Sequence, residues 1–292
     1  MRKLILLLAF AGLTACETVV YPDLDTNSTP VLVVDAFVTN EAQAQTIRLT
    51  ETIGFLDRAT PPSALGATVV ISNSANKIFT FIDEKNDGNY IWRPTNHDSL
   101  GAIGTSYTLT IRYKGEEFTA ASKVNRVPPI DSLTVEFKKA GERGTLSKEG
   151  YYVSLFAKDF VGVGDCYRIK TFRNDTLFNK PNELNLAYDA SFNKGGGTDG
   201  TSFILPIRNQ VTRAAEPYKI GDKVRVEIHS ITEDTFTFLQ KVRQQQQNGG
   251  LFATPPVNVG TNIFNKNPTS KTQVLGWFNV AARSQKTIEV KK

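Results

Sequence analysis

Apolar and polar positions alternate through much of this chain with a period of two, and that rhythm predicts strands. It is clearest in Tyr107-Thr108-Leu109-Thr110-Ile111-Arg112-Tyr113, where odd positions are apolar and even positions polar. Successive side chains of a strand point to opposite sides, so this segment has one buried and one wet face. Lys114-Gly115 turns it back into a run from Phe118 to Ser122. Other β-prone runs lie at 31–38, 46–50, 68–72, 78–82 and 90–92, with Asn73 to Lys77 and Asn86-Asp87-Gly88 as turns. About seven short strands with turn signals between them predict an antiparallel sandwich, immunoglobulin-like or transthyretin-like, over residues 31–127.

Val127-Pro128-Pro129 interrupts the rhythm. Prolines donate nothing to a ladder and stiffen the chain, so a domain boundary is expected here. A second β-rich domain is expected over 128–292. Its strands are read at 130–138, 151–157, 166–172, 202–207, 223–231, 273–280 and 286–290, with an irregular, glycine-rich stretch from Lys180 to Gly200. Near 231–247 the period lengthens to that of a helix. Ser230 and Glu233 have capping-box spacing, Thr235, Phe238, Leu239 and Val242 share a face, and Gly249-Gly250 closes the run. The fold class is therefore all-β, two sandwich domains with one helix in the second.

The first residues follow another pattern. Arg2 and Lys3 precede an apolar run from Leu4 to Phe10, and small residues lead to Leu13-Thr14-Ala15-Cys16. Charge, short apolar run and small residues form a secretory signal, here residues 1–15, too short for a permanent span. The segment closely resembles the lipobox of bacterial lipoproteins. That resemblance implies that Cys16 becomes the first mature residue and carries palmitate-type acyl chains. One chain holds only reversibly, and several on one residue would fix the protein to a bilayer. Residues 16–30, with Pro22, Asp23, Asp25, Asn27, Ser28 and Pro30, read as a flexible tether.

Composition removes several function classes. The formal charge of +5 includes Arg2 and Lys3, and the remaining charges are interspersed. No basic stripe interleaved with aromatics exists, so no nucleic-acid partner is expected. With Cys16 lipidated, Cys166 has no disulfide partner and is expected to be buried and inert.

Candidate chemistry is sparse. Asp83, Glu84, Asn86 and Asp87 before Gly88 suggest calcium. Counting Gly88 as the sixth position of an EF-hand loop puts Lys85 third and Pro94 twelfth, where oxygen ligands are required. A hairpin turn is the better account. Gly162-Val163-Gly164-Asp165 lacks a third glycine and a following helix, so it is no dinucleotide fingerprint. His97 and His229 are the two histidines, and no nucleophile elbow accompanies them. Glu116-Glu117 and Glu233-Asp234 are adjacent pairs, not carboxylates facing across a cleft. No catalysis, metal or cofactor is expected. Aromatic side chains remain as a route to binding, because they stack on sugars and anchor interfaces. Trp92, Trp277 and Phe278 are the binding candidates, with Tyr113, Tyr151 and Tyr152 behind them. The loops 57–64 and 180–200 are the expected contact surfaces.

A set of segments in fixed order carries a wider resemblance. They are Leu32-Val33-Val34-Asp35-Ala36, Gly66-Ala67-Thr68-Val69, Asp87-Gly88-Asn89-Tyr90, Gly104-Thr105-Ser106-Tyr107-Thr108-Leu109, and Val127-Pro128-Pro129-Ile130-Asp131-Ser132-Leu133. Gly221-Asp222, Pro256-Val257-Asn258-Val259, Asn262-Ile263 and Leu275-Gly276-Trp277-Phe278 complete it. The chain resembles the Bacteroidota lipoproteins grouped as domain of unknown function 4249. The resemblance implies an outer-membrane lipoprotein at the cell surface that partners a TonB-dependent transporter in nutrient capture. It carries no catalytic residues with it. The alternative is a stand-alone surface adhesin or envelope assembly factor.

Overall fold

The computed structural model describes residues 29–54, 57–141, 148–248 and 259–292. The expected signal, Cys16, most of the tether and Gly249-Gly250 lie outside the described residues. No helix among the described residues is long and apolar enough to cross a membrane.

The first lobe is a sandwich of two sheets. Its strands are β1 (Leu32–Thr39), β2 (Gln45–Glu51), β3 (Thr68–Asn73), β4 (Ile78–Phe81), β5 (Asn89–Trp92), β6 (Ser106–Tyr113) and β7 (Glu116–Lys123). Two late strands join them, β14 (Ile263–Asn265) and β15 (Val274–Ala281). One sheet has the order β15-β1-β2-β5 and the other β14-β7-β6-β3-β4. Inward positions fill the space between them: Val34, Ala36, Ile47, Leu49, Ile71, Leu109, Ile111, Phe118 and Phe278 share one core. The alternation expected of β6 is present, with Tyr107, Leu109 and Ile111 buried.

The second lobe contains β8 (Ile130–Lys138), β9 (Gly150–Ala157), β10 (Cys166–Arg173), β11 (Thr176–Leu177), β12 (Asn185–Tyr188), β13 (Lys223–Ile231) and β16 (Arg283–Glu289). The path β11-β10-β13-β16, with β12 also paired to β10, packs against the β8-β9 hairpin. Helix α1 (Leu205–Asn209) closes this core, and helix α2 (Glu233–Gln246) lies on the outer face.

The all-β reading agrees with this architecture, but the expected division at 127/128 does not contain the C-terminal chain. Residues after α2 return to the first lobe, where β15 runs parallel to β1 with Leu32 opposite Val274 and Thr39 opposite Ala281. The next strand, β16, pairs antiparallel with β13 in the second lobe. Sequence rhythm identifies strands and not their partners, so this return was not visible.

Three local expectations also change. Residues 202–207 are not a strand: Ser202 makes only an isolated bridge to Lys158, and from Leu205 the chain turns into α1, with Pro206 in its first turn and Ile207 buried in the second core. Asn185–Tyr188, inside the stretch read as irregular, is β12, and all four residues are buried. The cap of α2 is Thr232, whose hydroxyl accepts from the Thr235 amide at 3.2 Å. Ser230 remains in β13, where its hydroxyl accepts from the Ala282 amide at 2.9 Å.

Candidate functional site

The aromatic candidates are mostly structural. Neighbouring residues of β15 point to opposite faces, and both faces are covered. Phe278 is 0% exposed, inside the first core, and has no surface to offer a partner. Trp277 faces α2. Its indole N–H donates to the Thr235 hydroxyl at 2.8 Å and its ring stacks on Phe238 with centroids 4.4 Å apart. One edge of Trp277 still lines a shallow groove with Phe238, Lys241, Thr261 and the exposed Phe264. Trp92 is half-buried, edge-on to Phe79 at 5.2 Å. Tyr113 donates to Glu51 at 2.9 Å, Tyr152 donates to the Lys148 carbonyl at 2.8 Å, and Tyr151 packs against Phe137 at 5.2 Å.

Three of the four paired carboxylates are likewise occupied, while Asp234 is exposed at the groove beside Trp277. Glu116 accepts from Ser270, Asn265 and Thr272, while Glu117 accepts from Arg112 and Lys266. Lys194 holds Glu233 at 2.7 Å. In the 83–88 turn, the Asp83 carboxylate accepts the amides of Asp87 and Gly88 at 3.1 and 3.0 Å. His229 is buried on β13 with its Nε2 2.8 Å from Glu227. Burial brings its imidazole down to about 4, against the opposing pull of Glu227. Glu227 is itself held by Arg225 and Arg283. Among the described residues no serine hydroxyl takes part in this cluster's hydrogen bonds or ion pairs. His97 lies in a loop with a positive φ of 61°, and the neighbouring Asp98 is engaged by Lys77 at 2.5 Å.

Loops at one end of the second lobe assemble a group that sequence reasoning missed. One carboxylate oxygen from each of Asp159, Asp189 and Asp199 lies within 4.8 Å of the others. Asp189 accepts the amides of Gly164 and Asp165 at 2.9 and 3.1 Å, and Asp199 accepts that of Gly162 at 2.9 Å. Asp159 accepts the Tyr167 hydroxyl at 2.6 Å and the Gly200 amide at 3.3 Å. Desolvation raises the Asp159 carboxyl above its ordinary range, although the tyrosine opposes this. The glycine loop dismissed as a nucleotide motif is thus explained, because its amides hold acidic side chains. The set is oxygen-only, the donor type that hard cations take. No spacing rule joins residues this far apart.

Beside this group the two lobes touch. Arg126 grips Asp165 through Nε and Nη2 at 2.6–3.0 Å and donates to the carbonyls of Val161 and Gly162. Around it, Ile103, Val161 and Val163 are 55%, 80% and 72% exposed, and Ile103 and Val163 line one depression at the junction. Single exposed aliphatics are ordinary, and it is the sharing of one depression by Ile103 and Val163 that sets these apart. The expected contact loop 57–64 is also largely exposed, although Ala64 is buried and Ser63 donates to the Asp87 carbonyl at 2.7 Å. The other, 180–200, is divided: its β12 is internal and its tip at 194–197 is exposed.

Comparison with known proteins gives one family. Its profile, described as a domain of unknown function (DUF4249), matches residues 17–287. No curated protein matches the chain.

Proposed function

The chain belongs to the DUF4249 family, and from that premise we propose that it is an outer-membrane lipoprotein. In this reading it is a non-catalytic binding partner of a TonB-dependent transporter that takes part in nutrient capture. The observation that carries the reading is Leu13-Thr14-Ala15-Cys16 at the end of a short apolar run. The family match begins at residue 17, directly after that cysteine. Acylation of Cys16 would fasten a β-rich head to the bilayer through a polar tether. The exposed Ile103, Val161 and Val163 at the lobe junction give such a head an apolar contact surface. His229, Glu116, Glu117 and Glu233 are committed to bonds within the chain, which favours binding over catalysis.

The test is the Cys16→Ser variant in cells, with fractionation, mass measurement and pull-down from detergent-solubilised outer membrane. The wild type is expected in the outer-membrane fraction with added acyl mass, and a barrel transporter is expected to co-purify. The variant is expected to leave the membrane. Equal sedimentation of both forms with no acyl mass on either overturns the anchor. A clean anchor with no barrel recovered overturns the transporter partnership.

A further inference from the structure

The outer face of β10 carries a charge arrangement that folding does not explain. Residues 167, 169 and 171 of this strand point into the second core, so Arg168 and Lys170 point the other way, toward α2 and β1. Both are half-buried. A cavity of about 130 Å³ opens beside them, between β10, the 177–184 segment and the last turns of α2. Arg168, Lys170 and Lys180 line it together with Asn179, Glu183 and Gln246.

Among the described residues neither Arg168 nor Lys170 donates a side-chain hydrogen bond or joins an ion pair. Arg168 has only the Phe37 ring, 5.4 Å from its guanidinium carbon. The tips of Arg168 and Lys170 reach solvent through this cavity and are absent from the fully buried polar atoms, yet burial still weighs against both charges, and proteins usually give cations so placed a partner. The carboxylates in reach are otherwise engaged. Glu183 is bound by Arg213 at 2.5 and 3.0 Å. Glu227 is taken by His229, Arg225 and Arg283. Asp35 stands on the exposed side of β1 and reaches them only through space. Gln246, in the last turn of α2, also lines the cavity, and neither cation bonds to a carbonyl there. Burial brings the Lys170 ammonium down to about 8, which leaves most of it charged at neutral pH.

We propose that this cavity is a binding site for a small oxyanion, the carboxylate or phosphate group of a solute, held by Arg168, Lys170 and Lys180. The size agrees: about 130 Å³ holds roughly four waters at ~30 Å³ each, room for a tetrahedral or planar anion with its first contacts. Arg168 presents a planar donor fork and the two lysines point charges, the usual pairing for such groups. The site does not depend on where the protein is anchored.

The test titrates the complete mature chain at pH 7 and constant ionic strength with inorganic phosphate and, separately, acetate, followed by calorimetry. Saturable one-site binding of at least one anion is expected. Phosphate alone assigns phosphoryl groups, acetate alone assigns carboxylates, and both assign the shared chemistry. Lys170→Gln is expected to weaken binding about tenfold or more, the usual scale for one charge-assisted bond. Lys180→Gln, at an exposed position, keeps the test available should Lys170→Gln fail to fold, and is expected to weaken binding severalfold. No saturable heat with either anion, or unchanged affinity in Lys180→Gln and in a folded Lys170→Gln, overturns the site.

Discussion

Individual side chains in this protein owe their properties to being enclosed. His229 is the clearest case: burial holds its imidazole at about 4, far below the ordinary 6.5. The unfolded chain therefore binds a proton that the native state refuses between those values. Stability is complete above about pH 6.5 and falls as pH drops toward 4. The loss is on the order of 2–3 kcal/mol. Burial alone would raise Glu227, but the His229 hydrogen bond and the neighbouring cations outweigh it and hold the carboxyl below its usual range. A depressed carboxyl adds loss in the same direction at lower pH. Urea melts of the wild type and His229→Gln at pH 4.5 and 7 check this: the variant should show the smaller difference. Cys166 follows the same physics. It is 1% exposed and burial pushes its thiol up, so a thiol-specific reagent should modify it only in denaturant. Rapid labelling of the native protein would contradict its placement. The burial of Cys166 agrees with what the sequence leads one to expect of a lone thiol. The sequence did not announce the states of His229 or Lys170, which depend on what covers the face of a strand.

Among the elements, β15 makes the most demanding contact. It lies parallel to β1, and at Gly276, with φ +100°, an added Cβ would collide with the Val34 backbone. Neither the angle nor the space suits another residue. Gly276→Ala should cost about 3 kcal/mol or more, read as a lower urea midpoint with an unchanged slope. A cost below about 0.5 kcal/mol, the ordinary surface scatter, would mean that β15 does not approach β1 this closely. Elements with one wet face were legible in advance. Tyr107, Leu109 and Ile111 in β6 alternate and are buried. Of the elements covered on both sides, the long β13 and β15 were still read from their β-prone runs, but the four-residue β12 was not. Asn185–Tyr188 has no alternation because the core lies on one side and α2 packs on the other. The short α1 was misread because five residues with one buried position, Ile207, show no helical period, and they follow a run that β-propensity favours. The site followed the same division: Trp277 and Phe278 looked like exposed aromatics because nothing local reveals that α2 covers one and the sandwich the other.

At the scale of the molecule, chain order and lobe membership do not coincide. The first lobe has β1 as a sheet edge until β15 arrives, and β15 comes only after the whole of β8 to α2 has been made. The second lobe has β13 unpaired on one side until β16 follows two residues later. Helix α2 fastens the crossing, since Thr235 receives the Trp277 N–H and donates to Asn279 at 3.0 Å. Arg126 makes a second tie at the other passage between lobes. Each lobe therefore completes its sheets with strands from one C-terminal ribbon, and neither can lose that ribbon and keep its edges. The consequence is cooperativity. Residues 29–292 should melt in a single calorimetric transition whose van't Hoff and calorimetric enthalpies agree. An isolated 29–127 piece, which a division at the prolines would make a complete domain, lacks Ile263, Val274, Phe278 and Val280 from its core. Truncating even one such large side chain typically costs about 2–5 kcal/mol, against a total stability of about 5–15 kcal/mol. The piece should show no cooperative unfolding by circular dichroism. Two resolved transitions in the full chain, or a sharp melt from 29–127 alone, would separate the lobes that the ribbon is argued to join.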